Sequence, residues 1–375
     1  MKTTAFSFPT VILLCSAIFL AACGKNNNGN NDNPDDPSWP ADSVRTVISN
    51  LSQPWEILWG PDDYIWTTER SGRISRIEPK SGTLKPLLTI SDVDQQNEGG
   101  LLGMTLHPDF KSNGFLYVVY NYNKGGTYTE KVVRYTYKDS SLSSPAIILD
   151  NIAASGIHNG SRLAIADNKL WITTGDANTA ANAQNTGNPN GKVLRINLDG
   201  SIPADNPIAN NPLWSYGHRN PQGLVVVNGI IYTSEHGANI EDEVNIIEKQ
   251  RNYGWPNVEG PCNTDGENTF CAANNVKAPI WSSGTQGTYA ISGMDYYNND
   301  RISQWKNSLL VTSLKNNRLY QLKLSEDKKT VTTTKTYFNG AFGRLRDVCI
   351  SPAGRVYICT GNGNNDKIIE ISKPE

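Results

Sequence analysis

Residues 167–176, DNKLWITTGD, and 191–200, GKVLRINLDG, decide the fold. Each opens on polar turn residues and runs into β-branched, aromatic and leucine side chains, the first as an apolar strand and the second as an alternating one. Together they spell a turn, an apolar strand, a polar gap and a second strand. The same order recurs at 62–79 (DDYIWTTERSGRISRIEP), 113–137 (NGFLYVVYNY with EKVVRYTY) and 228–247 (NGIIYTSEHG with DEVNII). It recurs again at 306–324 (KNSLLVTSLKNNRLYQLKL) and 353–372 (AGRVYICTGN with DKIIEIS), which makes six units. No amphipathic helical period of useful length follows residue 40. Self-similar strand units about 40–55 residues apart point to a β-propeller, in which radial repetition hides sheet edges. The expected fold is therefore all-β, a six-bladed propeller over 41–375. A β-sandwich with a second domain is the weaker reading of six matching units.

Composition narrows the partners. Lys plus Arg is 34 against 36 Asp plus Glu, so no basic field points to nucleic acid. Lys2 and the 12-residue apolar run VILLCSAIFLAA (11–22) read as an export signal, too short for a permanent span. The run ends in Leu20-Ala21-Ala22-Cys23-Gly24, which resembles a bacterial lipobox. The expectation is a signal peptide over 1–22, lipidation at Cys23 and a polar, disordered tether over 23–40. That describes an exported lipoprotein of the cell envelope, held to a membrane by its lipid. Ordinary cleavage with an incidental Cys is the alternative. Four cysteines lie beyond the signal, and an exported chain favours disulfides over metal thiolates. Cys262 and Cys271 would close a loop. Cys349 and Cys359 flank ISPAGRVYI, a hairpin pattern, and could face each other; four free thiols are the alternative.

Few residues can carry chemistry, since the chain has only four His. His107 sits beside a Pro turn and reads as structural. His158 lies between Gly156 and Gly160, and Asp176 follows eighteen residues later, directly after the strand LWITTG. One strand separates them, so both can reach the same propeller face, where a carboxylate-oriented His is a general base. A surface His with an unrelated Asp is the bland reading. The stretch GHRNPQGL (217–224) joins two strands. A turn calls for its Gly, Pro and Asn, but not for His218 and Arg219. Neighbours on extended chain alternate, so His218 should point away from whatever Arg219 faces. Lys315, Arg344 and Arg346 also occur at strand ends, and Arg344 and Arg346, two apart, should point the same way. Such clustering in a near-neutral protein suggests an anionic ligand, a polycarboxylate or phosphate, unless these are solvated loop ends. SEHGANIEDEVNII (234–247) carries Glu235, Glu241, Asp242, Glu243 and Gly237, which suits Ca²⁺ but lacks EF-hand spacing.

At this point the motifs converge. GHRNPQGL, GKVLRINLDGSIPADNP (191–207), DEVNIIEKQRNYGWPNVEG (242–260) and SLLVTSLK (308–315) resemble the soluble pyrroloquinoline quinone (PQQ)-dependent glucose dehydrogenases, the glucose/sorbosone dehydrogenase family. PWEILWGPDDYIWTTERSGRISRI (54–77) and GGLLGMTLHPDF (99–110) extend the match, which covers roughly residues 45–373. The resemblance implies a six-bladed propeller that oxidises an aldose at C1 to the lactone. It implies hydride transfer to PQQ, with electrons passed to an external acceptor. By position, His158 would be the base, Asp176 its orienting partner, and Arg219 the group that stabilises charge on the quinone oxygen. Asn220, His236, Asp242, Thr288, Lys315, Arg344 and Arg346 match cofactor-contacting positions. Backbone carbonyls of Gly237 and Ala238 match a Ca²⁺ that also holds PQQ, and Glu243 and Tyr253 match a structural Ca²⁺. Glu98 stands where the family's glucose enzyme meets sugar with a Gln. Ile157 replaces an Asp, His236 a Gln, and Ala238 a Pro. Cofactor positions are thus kept better than sugar contacts. A non-catalytic propeller that binds sugar or protein is the alternative, and neither the sugar, the electron acceptor nor the oligomeric state follows from the sequence.

Overall fold

The computed structural model describes residues 1–2 and 42–373. The lipidation residue Cys23 and the tether over 23–40 lie outside the described residues. Among the described residues no helix is long and apolar enough to cross a membrane. Six four-stranded antiparallel sheets stand around one axis, as the repeats imply. Each unit read from the sequence is the second and third strand of a blade. In blade three these are Lys169–Thr174 and Lys192–Asn197, paired in unbroken register.

The innermost strands are Pro54–Trp59, Leu101–Leu106, Gly160–Ala166, Pro221–Val227, Ile291–Tyr297 and Leu345–Ile350. Neighbouring inner strands touch all the way round, and the sixth meets the first. The ring is locked in the last blade. There the first described strand, Val44–Leu51, pairs with the last, Asp366–Ile371, so the two share one sheet. Such closure removes a free edge that would otherwise template association.

The apolar core is divided into six clusters, one at each blade interface. Trp66 and Ile74 of blade one, for example, pack on Leu101, Met104, Leu116 and Val118 of blade two, all essentially inaccessible. Each such side chain contributes about 1.5–3 kcal/mol when buried. One outer strand, Val331–Tyr337, takes little part and is mostly exposed.

Every inner strand carries a register shift near its first residues. The shifts fall between Pro54 and Ile57, Leu101 and Met104, Gly160 and Leu163, Pro221 and Gly223, Ile291 and Met294, and Leu345 and Asp347. A bulge bends the strand and re-aims one side chain. Repeated six times at one height, it turns Trp55, Glu56, Arg162, Gln222, Ser292 and Arg346 into a connected layer across the axis. Glycine permits this crowding at three positions where a Cβ would strike a neighbouring blade: Gly103 against the Ser161 carbonyl, Gly223 against the Ser292 carbonyl, and Gly293 against Asp347.

One disulfide matches expectation and one does not. Cys262 and Cys271 are bonded, tying down the helix Asp265–Asn274 with its Thr264 capping box. Cys349 and Cys359 are free, buried thiols. The hairpin register explains this: Cys349 stands opposite Tyr357, and Cys359 opposite Asp347. The two are diagonal neighbours, roughly 7–8 Å apart in an antiparallel pair, beyond disulfide reach. Burial pushes both thiols well above their ordinary pKa.

Candidate active site

Strand polarity brings the candidate residues to one end of the axis. Each inner strand runs antiparallel to the second strand of its blade, so the start of one lies beside the end of the other. Glu98, His158, Arg219, Asn220, Thr288 and Arg344 precede inner strands. Asp176, His236 and Lys315 follow second strands. All therefore surround the same mouth.

His158 Nδ1 lies 2.9 Å from Asp176 Oδ1; the imidazole is 13% exposed and the carboxylate 2%. Asp176 Oδ1 also accepts the Asn178 N–H at 2.7 Å, and Oδ2 accepts Trp255 Nε1–H at 2.9 Å. A carboxylate facing Nδ1 selects the tautomer with hydrogen on Nδ1 and leaves Nε2 free to accept a proton. The backbone at His158 is left-handed, φ 61°, which costs a non-glycine residue about 1 kcal/mol or more. Its carbonyl is held in return by the Ala177 N–H at 3.1 Å. Gly175 has no Cβ to strike that carbonyl.

GHRN resolves into two opposite tasks. His218 is fully buried and points away from the mouth, as alternation requires. Its Nδ1 meets Glu235 Oε2 at 3.0 Å, its Nε2 meets Ser215 Oγ at 2.9 Å, and its ring stacks on Tyr253. Glu235 Oε1 accepts the backbone N–H groups of both Arg219 and Asn220. The pair thus fixes the peptide from which Arg219 and Asn220 project. Asn220 Oδ1 accepts the Gly160 N–H at 3.1 Å, two residues beyond His158. Arg219 Nη1 reaches the His236 carbonyl at 3.4 Å. Burial, with the positive charges of Arg346 and Arg219 and proximity to His158, pushes His236 down to about 3 and keeps it neutral. Arg219 Nε, Asn220 Nδ2 and His236 Nε2 are buried without partners among the described residues. Buried polar atoms seldom go unpaired, so three in adjoining residues mark a place prepared for a polar, anionic ligand.

Of the layer beneath, only Arg346 was anticipated. Arg346 Nη1 donates to Gln222 Oε1 at 2.6 Å and Ser292 Oγ at 3.1 Å. Burial lowers its guanidinium to about 10. Arg162 lies below, its Nη1 2.7 Å from Glu56 and 2.9 Å from Asp347. Its Nε donates to the Gln222 carbonyl at 2.6 Å, and its guanidinium carbon is 4.1 Å from the Trp55 ring centre. The only sequence sign was polar residues in otherwise apolar inner strands. Arg344 and Arg346 differ more than their spacing suggests: Arg344 precedes the bulged strand, is exposed, and donates to the Gly361 carbonyl. Lys315 is exposed on the rim, its Nζ 3.3 Å from Thr288 Oγ1. Glu98 is exposed in a loop pinned by its N–H to the Gly156 carbonyl, and its charge is felt by Arg70 and Arg346. Arg70, which donates to the Gly99 carbonyl, is a rim cation missed in the sequence.

The acidic loop divides. The Asp242 carboxylate is spent on backbone, accepting Gly237 N–H at 2.9 Å and Tyr289 N–H at 2.6 Å, so it shapes two loops. Glu235, Glu241, Glu243 and Glu259 line a small cavity with Tyr253 beneath Arg219 and Gly237. Burial, then the Glu235 charge, raises Glu243 to about 8, and Glu259 Oε2 is buried unpartnered. Its surplus of carboxylate suits a hard cation. Among the described residues, however, no three His, Cys, Asp or Glu side chains converge on one metal-ligating point. Tyr253 spends its hydroxyl on the Ile246 carbonyl, at 2.6 Å.

Comparison with known proteins agrees with the fold. The glucose/sorbosone dehydrogenase family model matches residues 51–370. Quinoprotein glucose dehydrogenase B of Acinetobacter calcoaceticus is 33% identical over 86% of each chain. The aldose sugar dehydrogenase YliI of Escherichia coli is 30% identical over 88% of this chain and 92% of its own. The PQQ-bound aldose sugar dehydrogenase of Streptomyces coelicolor superposes with a TM-score of 0.76 at 28% identity, over 88% of this chain and 99% of that one. A family model spanning nearly the whole propeller, with relatives matched over most of their length, establishes that this chain belongs to the glucose/sorbosone dehydrogenase family.

Proposed function

We propose that the protein is a PQQ-dependent aldose dehydrogenase that oxidises the sugar at C1 to the lactone and passes electrons to an external acceptor. The observation that carries this reading is the set of unpaired buried atoms on Arg219, Asn220 and His236 beside a His158–Asp176 pair. PQQ bears three carboxylates and a quinone, and these donors and cations fit such a ligand. When bound, PQQ supplies an ortho-quinone able to take up a hydride. Arg219, Asn220, His236 and Arg346 would hold it from below, with Thr288, Lys315 and Arg344 on the rim. The carbonyls of Gly237 and Ala238 would hold a Ca²⁺ beside it, and the glutamate cavity at Glu243 and Tyr253 a second. Asp242 orders the loops that carry them.

The chain's own part is proton handling and charge placement. His158 Nε2 accepts the C1 hydroxyl proton, while Asp176 holds Nδ1–H and the ring plane. Arg219 would stabilise negative charge on the quinone oxygen of a bound PQQ through a guanidinium already set in place. Glu98, exposed on the rim, would meet the sugar. The lipobox at Leu20–Gly24 supports attachment to the cell envelope through Cys23.

The test mixes purified protein with PQQ and Ca²⁺, then offers a panel of aldoses and a redox dye. Dye reduction with at least one aldose is expected. No reduction with any sugar, together with no change in PQQ absorbance, refutes the reading. His158→Gln is expected to keep the absorbance change and lose turnover.

A further inference from the structure

Trp255 stands between the two arms of the site. Its Nε1–H donates to Asp176 Oδ2 at 2.9 Å, and its ring centre lies 5.3 Å from the Arg219 guanidinium carbon. The residue is anchored apart from these contacts. Its N–H donates to the Gly217 carbonyl at 3.0 Å, and its own carbonyl accepts Gln184 Nε2–H at 2.7 Å. Gln184 and Asn252 exchange amide hydrogen bonds at 3.0 and 2.9 Å. Gln184 ends the short 3₁₀ helix Ala180–Gln184 that follows Asp176. The loop carrying Asp176 and the loop carrying Trp255 are therefore clasped together. Gly217, at φ 83°, has no side chain to strike Asn252, so the second loop lies directly on GHRN.

We propose that Trp255 is a positioning residue for both arms, its N–H fixing the Asp176 carboxylate behind His158 and its ring fixing the plane of Arg219. The proposal rests on His158 acting as the base. A carboxylate held through Oδ1 alone can rotate about its last torsion, and the imidazole turns with it. Held at both oxygens it cannot. The ring adds a cation–π contact that leaves the edge of the Arg219 guanidinium free for a ligand. Two functions that must be aligned within fractions of an ångström are thus referred to one rigid side chain.

Two variants separate the contacts. Trp255→Phe keeps a ring beneath Arg219 and deletes the N–H; Trp255→Leu deletes both. Trp255→Phe is expected to lower kcat about tenfold, the range for one hydrogen bond to a charged group, with KM and PQQ titration within about twofold. Trp255→Leu is expected to weaken PQQ binding as well, by about tenfold. A second readout needs no cofactor: the low-field Nδ1 proton of His158 in the NMR spectrum of the apo protein, assigned by its loss in His158→Gln. It should broaden in Trp255→Phe. Unchanged kcat and an unchanged proton signal overturn the proposal. So does a kcat loss matched by equal losses in melting temperature and PQQ binding, which would mean a structural role only. If Trp255→Phe does not fold, Gln184→Met decides, since it frees the Trp255 carbonyl, breaks the clasp to Asn252 and keeps the indole: a lowered kcat supports the proposal, and no change overturns it. If the wild-type protein oxidises no aldose, the functional reading fails, and the proton signal still tests the contact.

Discussion

Glu130 offers a measurable consequence of the packing under His158. It lies on Thr127–Lys138 of blade two, 1% exposed. One oxygen accepts Ser161 Oγ–H at 2.6 Å, and that hydroxyl also lies 3.0 Å from the Asn159 carbonyl, next to His158. The other oxygen is buried without a partner. Burial raises the carboxyl from 4.5 to about 8, and hydrogen bonds from Ser161 and Asn121 offset this only in part. Between those values the folded protein holds a proton that the unfolded chain has released. Stability then falls as pH rises, by about 1.4 kcal/mol per pH unit, and levels off above pH 8. Across the window this reaches about 5 kcal/mol as an upper figure. Glu130→Gln has the shape of the neutral acid at every pH and binds no extra proton. Melting curves from pH 5 to 9 should place the two proteins close together at pH 5. The variant should then gain on wild type by roughly 2 °C per pH unit up to about pH 8. Parallel curves over that range would show that Glu130 is ionised in the folded protein and that the argument is wrong.

Asp295, on the axis at the opposite end of the channel, is raised by burial to about 7. Asp295→Asn should show the same divergence from wild type, ending nearer pH 7. Lys192 is fully buried and donates to the carbonyls of Asn182, Ala183 and Asn190, bracing the loop that follows Asp176. Lys192→Met takes a donor from all three carbonyls, of which Asn182 and Ala183 keep the N–H groups of Asn185 and Gly217, and should cost about 1–3 kcal/mol in denaturant unfolding at pH 7. Arg346→Met should weaken PQQ binding by about thirtyfold or more in absorbance titrations, while Arg344→Met, on the exposed rim, should weaken it by only a few-fold.

The legible part of the fold was the second and third strand of each blade, because both faces pack on neighbouring blades and leave nearly continuously buried runs, rich in β-branched and aromatic residues, between polar turns. Inner strands did not read that way. Their bulges break the alternation, and they carry Glu56, Arg162, Gln222, Arg346 and Asp347 toward the axis. Trp281–Ser282, a two-residue outer strand, has no pattern to find. For the site, His158, Asp176, Arg219 and Lys315 were legible because strand ends alternate between the two faces of a propeller. Trp255 was not: it reaches Asp176 across 79 residues, from an excursion between the third and fourth strands of its blade. Asp347 meets the Ile57 N–H across 290 residues, a contact that only closure of the ring creates. The Cys349–Cys359 pairing failed for a local reason. Spacing suggests a hairpin, but the register, fixed by the turn at Ser351–Arg355, sets the thiols two residues out of step.

The arrangement also explains how a site this cationic holds together without its ligand. Arg219, Arg346 and Arg162 are stacked toward one axis, and His236 beside them is kept neutral because another charge there would cost more. Compensation comes from behind and below. Glu235 receives the Arg219–Asn220 backbone, while Glu56 and Asp347 neutralise Arg162. Glu98 supplies opposite charge at the mouth. Between these acidic flanks, the faces of Arg219, Asn220 and His236 stay unpaired. Carboxylates on the ligand-facing side of the arginines would make the protein more stable, but an anionic cofactor would have to displace them. Set behind, they balance the charge of the fold and leave the hydrogen-bonding edges open, which is what an anionic ligand supplied from outside the chain requires.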